Sequence, residues 1–384
     1  MLRKVAKKLV PETSRLIEVS RTNQPSVIRP IYTLIPPTHT PDNFSILNYV
    51  SSKEKQNEYE VLVEDTKFSF IEGYIRSISP KQNLLVVSNG RYADSVARTA
   101  RELGCNVDWF FSTLLSPIDP QSLANCVWHN SSITHVYINA TEPFSGILNP
   151  VLTIITKLRS IRPDLNIFVD YSNTYPFNQL DFPAISADYV LFNNQFLPNT
   201  KQLSFLLSRK LNLEAMSFEK NDNPLHDSYK KQHTLTSLKG PILNELETEL
   251  NSFDVKNRYP LYTALQTSLI NRILYRPIAG QGNRSVWSTC FLYPNRGNGE
   301  IIKKNLNDIN LPCETRLLPS NMEGISIKSK DLLAVNIQEK DMLEKVSDVL
   351  NSTFKKESAL YKVPESFQDE EINNRKIRIY DFKT

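Results

Sequence analysis

Asp170 ends the apolar run Ile167–Asp170, so its carboxylate falls at the tip of a buried strand. In parallel α/β sheets that is where ligands bind, although a strand-end aspartate can also cap the turn that follows it. Lys67 and Lys201 are two amines in strand-flanking loops, and Lys67 follows the polar stretch Glu64-Asp65-Thr66. That stretch reads as a strand–helix connection with Asp65 or Thr66 as the N-cap. Ser145-Gly146 lacks the rest of a G-x-S-x-G elbow and does not make Ser145 a nucleophile. The five histidines show no H-x-x-H or H-E-x-x-H spacing, so no metal is expected, and His135 reads as a structural histidine opening an apolar strand. The four cysteines, Cys105, Cys126, Cys290 and Cys313, contain no C-x-x-C pair and read as reduced, mostly buried thiols.

Composition narrows the chemistry further. The chain has 384 residues with 10 glycines and 23 prolines, whereas average usage would supply about 27 glycines. Neither G-x-G-x-x-G nor G-x-x-x-x-G-K-[ST] occurs, so a glycine-rich phosphate loop has little material. With 40% apolar, 22% charged residues and a net charge of +4, a globular protein without nucleic-acid or membrane partners is expected. The basic start, with Arg3, Lys4, Lys7 and Lys8, reads as a solvated arm of a cytoplasmic protein. Mitochondrial targeting is the alternative reading of that start.

Those residues need a scaffold. Residues 1–60 are broken by Pro25, Pro30, Pro36, Pro37 and Pro41. Strands then alternate with helices. Strands are expected at Tyr59–Val63, Leu84–Ser88, Val107–Phe111, His135–Asn139, Ile167–Asp170 and Tyr189–Phe192. Helices are expected at Phe68–Ile78, at Tyr92–Leu103 stopped by Gly104, and near 119–127 and 150–160. This alternation predicts an α/β domain with a mostly parallel sheet. After Gly240-Pro241 come helical stretches, Ile242–Leu250 and Leu261–Leu274, then strand, helix, strand and a helix near 340–354. The expected division is an arm at 1–45, a large α/β domain at 46–240, a small α+β domain at 241–365 and a charged tail at 366–384 with an edge strand Lys376–Tyr380. The ligand-facing loops of such a sheet are 64–67, 89–92, 140–146, 170–175 and 193–202.

Several of these segments together resemble a known family. Leu85-Val-Val-Ser-Asn-Gly90 with Tyr92 and Glu102-Leu-Gly104 is similar to its "L-V-x-x-N-G-x-Y/F-G … G" block. Glu142-Pro-Phe-Ser-Gly-Ile-Leu-Asn-Pro150 is similar to "E-T-S/T-T-G-x-L-N-P", and Phe168-Val-Asp-Tyr-Ser172 to "x-V-D-A-x-S". Trp287–Pro294 looks like the strand that opens its C-terminal domain. The family is the class V aminotransferases, pyridoxal-phosphate enzymes of fold type I, in particular the 2-aminoethylphosphonate–pyruvate and alanine/serine–glyoxylate transaminases. The likeness runs over about residues 30–355.

The resemblance implies a homodimer with pyridoxal phosphate in its large domain. It implies a Schiff-base lysine, an aspartate on the pyridine nitrogen, a phosphate cup and a carboxylate-binding arginine. Asp170 matches the aspartate. Gln195 stands where the lysine belongs, and an amide cannot form the internal imine. The cup aligns with Glu64-Asp65-Thr66-Lys67, whose carboxylates would repel a phosphate dianion. Gly324-Ile-Ser-Ile-Lys328 stands at the arginine's place, and Lys328 is a poor substitute for a bidentate fork. One requirement of four survives. The expectation is a degenerate site without cofactor in which Asp170, Ser145, Thr66 and Gln195 mark the ancestral cofactor-binding positions. Such a chain would act as a binding, regulatory or scaffold protein, as a homodimer or with an active paralogue, and could hold a small-molecule ligand. Two alternatives stand beside it: a working transaminase that passes an amino group to pyruvate or glyoxylate through Lys67 or Lys201, and a different ligand on the same fold.

Overall fold

A computed structural model describes residues 59–112, 116–176, 186–197, 202–214, 223–234, 244–246, 248–249, 252–253, 255–272, 277–280, 283–292, 298–317, 323–328, 331–332 and 342–355. The N-terminal arm, Lys201, the Gly240-Pro241 boundary and the edge strand at 376–380 lie outside them.

Continuous apolar runs make the central sheet. Its strands are β1 (Tyr59–Glu64), β2 (Asn83–Ser88), β3 (Asn106–Phe111), β4 (Ile133–Asn139), β7 (Asn166–Asp170), β8 (Tyr189–Asn193) and β9 (Ser204–Arg209). A small hairpin, β5 (Thr141–Glu142) with β6 (Ile147–Leu148), leaves the end of β4. Among the described residues the order across the sheet is β1-β9-β8-β7-β4-β2-β3. Pairings among β2, β3, β4, β7 and β8 are parallel, and β9 runs antiparallel to both its neighbours. The mostly parallel α/β sheet expected from the alternation is therefore present. The antiparallel β9, which turns the chain back before the sheet closes on β1, is not visible in the hydrophobic pattern, because strand direction leaves no mark on it.

Burial on both faces explains why the inner strands β2, β4, β7 and β8 are largely apolar rather than alternating. On one face lie α1 (Lys67–Ser77) and α2 (Arg91–Glu102), packed over Leu84, Val86, Tyr137, Phe168 and Leu191. On the other lie α3 (Pro120–His129) and α4 (Val151–Ile161), over Leu85, Val87, Val136, Ile138 and Val169. The inward stripe of α2 is Ala93, Val96, Ala97 and Ala100, small residues that allow a close approach to the sheet. Gly104 closes α2 at φ 80°, as its position required, with the Cys105 amide donating to Ala100 O at 2.9 Å. Two further helices, α5 (Lys210–Glu214) and α6 (Pro224–Thr234), follow β9.

The C-terminal part builds a second sheet. The helix expected from 261 begins earlier, as α7 (Val255–Arg272), with Pro260 inside it. Pro260 lies beyond the first turn, so it gives up one hydrogen bond to the preceding turn and its ring crowds the carbonyl four residues before it. The strands β10 (Ser288–Leu292), β11 (Cys313–Leu317) and β12 (Glu323–Lys328) form an antiparallel sheet in the order β10-β12-β11. Helices α8 (Asn298–Asp308) and α9 (Met342–Lys355) contribute to a core of its own. One strand more is present than the sequence reading expected. Trp287 joins this part to the main core. Its ring stacks on Phe196, centroids 3.9 Å apart, and its Nε1 donates to Thr174 O at 3.2 Å. None of the four cysteines is in a disulfide, and Cys126, Cys290 and Cys313 are buried. No helix of the described residues is long and apolar enough to cross a membrane.

Candidate active-site cleft

The described residues of the loops singled out at the C-terminal ends of the strands meet. Asp170, the last residue of β7, is 1% exposed at the middle of the sheet. Tyr92, from the first turn of α2, donates its hydroxyl to Asp170 Oδ2 at 2.6 Å. Tyr137 on β4 donates to the same oxygen at 2.8 Å, and the Ser172 amide donates to Oδ1 at 2.8 Å. Burial, then the charge of Asp170, hold both phenols well above their ordinary range, so they remain protonated donors.

Lys67 completes the cluster. Its Nζ donates to Ser172 Oγ at 3.0 Å and lies 4.5 Å from the centre of the Tyr92 ring. Burial pushes this amine below the usual lysine range, and the charge of Asp170 offsets part of that. Gln195 closes the floor: its Nε2 donates to Ser172 O at 2.7 Å and to Asn173 Oδ1 at 3.2 Å. Ser172 is thus shared among Asp170, Lys67 and Gln195.

The supporting polar contacts come from distant segments. Gly90 precedes α2 and offers no side chain to cap it. Glu142, fully buried in the hairpin after β4, caps the helix instead, accepting from the Tyr92 amide through Oε2 at 3.3 Å and from the Phe144 amide through Oε1 at 3.1 Å. Gly90 is needed for this approach, since a Cβ there would stand 2.5 Å from Glu142 Cδ. Behind it, Asn89 donates to Asn149 Oδ1 at 2.9 Å, and Asn149 donates to Asn139 O at 2.9 Å. The N-G and L-N-P pieces of the sequence motifs are therefore one buried hydrogen-bonded brace beneath the cleft.

Of the expected site residues, Asp170 and Gln195 are joined through Ser172. Thr66 is exposed and caps α1, its Oγ1 accepting from the Phe68 amide at 3.3 Å. Ser145 lies in the turn between β5 and β6, and its buried Oγ has no hydrogen-bond partner among the described residues. Lys328 is occupied elsewhere, in an ion pair of 2.5 Å with Glu314 across β11 and β12. Sequence reasoning missed Tyr137 and Ser172. The first looks like any apolar strand residue, and the second required knowing that the loop after β7 folds back over Asp170. Among the described residues no group of His, Cys, Asp or Glu side chains could hold a metal ion.

No protein-family model matches this chain. Its sequence is similar to the 2-aminoethylphosphonate–pyruvate transaminase of Bacillus cereus strain AH187, 23% identical over 265 residues, 64% of this chain and 71% of that protein. A transaminase of the same name from Phocaeicola vulgatus is 26% identical over 163 residues, 42% of this chain and 44% of that protein. Among solved structures, the ureidoglycine–glyoxylate aminotransferase of Bacillus subtilis superposes with a TM-score of 0.61 at 15% identity, covering 81% of this chain and 83% of that one. The alanine–glyoxylate aminotransferase of a Nostoc species gives a TM-score of 0.58 at 11% identity, covering 77% and 81%.

The chain has a class V aminotransferase-like fold. Set against the pyridoxal phosphate that this aminotransferase-like fold implies, the side chains at the sheet's end do not fit. Gln195, at the position where the resemblance would put an imine-forming amine, carries an amide. The carboxylate of Asp170 already accepts three hydrogen bonds from protein donors. A cation of the chain's own, Lys67, lies on the ring beside that carboxylate. Glu64 and Asp65 precede α1, where a phosphate would need bare backbone N–H groups.

Proposed function

We propose that this aminotransferase-like chain is non-catalytic. It keeps the fold as a binding, regulatory or scaffold protein, as a homodimer or paired with an active paralogue. The single observation behind this reading is the state of Gln195. Its amide is not nucleophilic, and it is pinned by hydrogen bonds to Ser172 O and Asn173 Oδ1. The three protein donors on Asp170 support the same reading, because a cofactor ring nitrogen would have to compete with them for its oxygens.

The test is spectroscopic and chemical. Purified full-length protein is scanned with excess pyridoxal 5′-phosphate, treated with borohydride and mapped for modified lysines. It is also assayed with alanine or 2-aminoethylphosphonate as donor and pyruvate or glyoxylate as acceptor. No adduct and no amino transfer are expected. A stoichiometric adduct with turnover overturns the reading. Light scattering of the same sample reads the assembly state, with a dimer expected.

A further inference from the structure

Lys67 is the first residue of α1, at the positive end of the helix dipole, where a cation is unfavourable. Withdrawing an ammonium from water costs more still. Yet the side chain turns inward to the cleft while its neighbour Phe68 stays 59% exposed. Something in the cleft must offset both costs. Three groups do: the Ser172 hydroxyl at 3.0 Å, the face of the Tyr92 ring at 4.5 Å, and the charge of Asp170.

We propose that the Lys67 ammonium is an intramolecular occupant of the cleft, filling beside Asp170 and over Tyr92 the place that an organic cation would take. This rests on the non-catalytic reading above and deepens it. A carboxylate, a hydroxyl and an aromatic face together recognise a primary ammonium or a cationic ring. The chain supplies that cation itself, on a flexible four-carbon stem. A ligand that reaches Asp170 is therefore cationic and displaces Lys67. The cleft is closed to such ligands while Lys67 is in place.

The test uses full-length protein, with propylammonium as a mimic of the lysine side chain. Lys67→Ala and Lys67→Ser are titrated by calorimetry and followed by thermal unfolding, beside wild type, with propan-1-ol as the neutral control at matched ionic strength. Both variants are expected to bind propylammonium and to be stabilised by it, and not by propanol. Wild type is expected to show neither effect. Asp170→Asn added to Lys67→Ala should abolish the binding. Equal responses in wild type and variants, or none in any, overturn the proposal. Should the variants fail to fold, NMR of lysine-labelled wild type decides. Upfield-shifted Cε protons of Lys67, with nuclear Overhauser contacts to Tyr92, support the proposal, and an unshifted, solvent-like Lys67 overturns it. A stoichiometric pyridoxal adduct on another lysine with amino transfer, and Lys67 still over Tyr92, overturns only the non-catalytic reading. An adduct on Lys67 itself overturns both.

Discussion

The hydroxyl of Tyr92 donates a 2.6 Å hydrogen bond to Asp170, joining the start of α2 to the end of β7 across 78 residues of chain. This contact turns a strand-end carboxylate into part of the core. The hydrogen bond from Tyr137 to the same oxygen reinforces it.

Removing either phenol should destabilise the fold. A hydrogen bond to a charged acceptor contributes about 1.5–3 kcal/mol, so Tyr92→Phe and Tyr137→Phe should each lower the unfolding free energy by about that much in urea titrations. Because both act on Asp170 Oδ2, each single loss is partly made good by the remaining phenol, and the double variant should lose more than the sum of the two.

Placing an amine at position 195 should not produce an enzyme. Gln195→Lys is expected to give no visible imine band with pyridoxal 5′-phosphate and no borohydride-stable adduct. Lys67 would still lie over Tyr92, and Glu64 and Asp65 would still face any phosphate. An adduct on the new lysine would mean that the remainder of the pocket persists.

The brace under the cleft depends on a missing side chain. Gly90→Ala would put a Cβ 2.5 Å from the buried Glu142 carboxyl, and overpacking of this kind costs about 1–3 kcal/mol. A lowered melting temperature is expected. Gly280→Ala, with no atom of the described residues within 4 Å of its Cβ, should leave the melting temperature close to wild type and serves as the control.

Acid should weaken the fold through His135. Burial lowers this imidazole from 6.5 to about 4, with the Asp188 charge opposing part of the shift. The unfolded chain takes up a proton that the folded chain refuses, so the stability present above pH 6.5 is lost as pH falls toward 4. At roughly 1.4 kcal/mol per unit the loss is about 3 kcal/mol. His135→Leu should flatten this limb of a stability–pH curve measured by denaturant unfolding.

Sequence alone determined the alternation of elements, the parallel core of the sheet, the stop at Gly104 and the five loops that carry the site. These are local properties: apolar runs, helical spacing and a residue able to adopt positive φ write themselves into neighbouring positions. Sequence also determined that Gln195 cannot do a lysine's chemistry, since that follows from residue type once the position is known. The antiparallel turn of β9 and the capping of α2 by Glu142 were decided only in three dimensions. So were the convergence of Tyr92 and Tyr137 on Asp170 and the inward turn of Lys67. Each of these joins residues far apart in the chain through burial, and the free energy of a buried charge or hydrogen bond depends on what surrounds it, which no local pattern encodes.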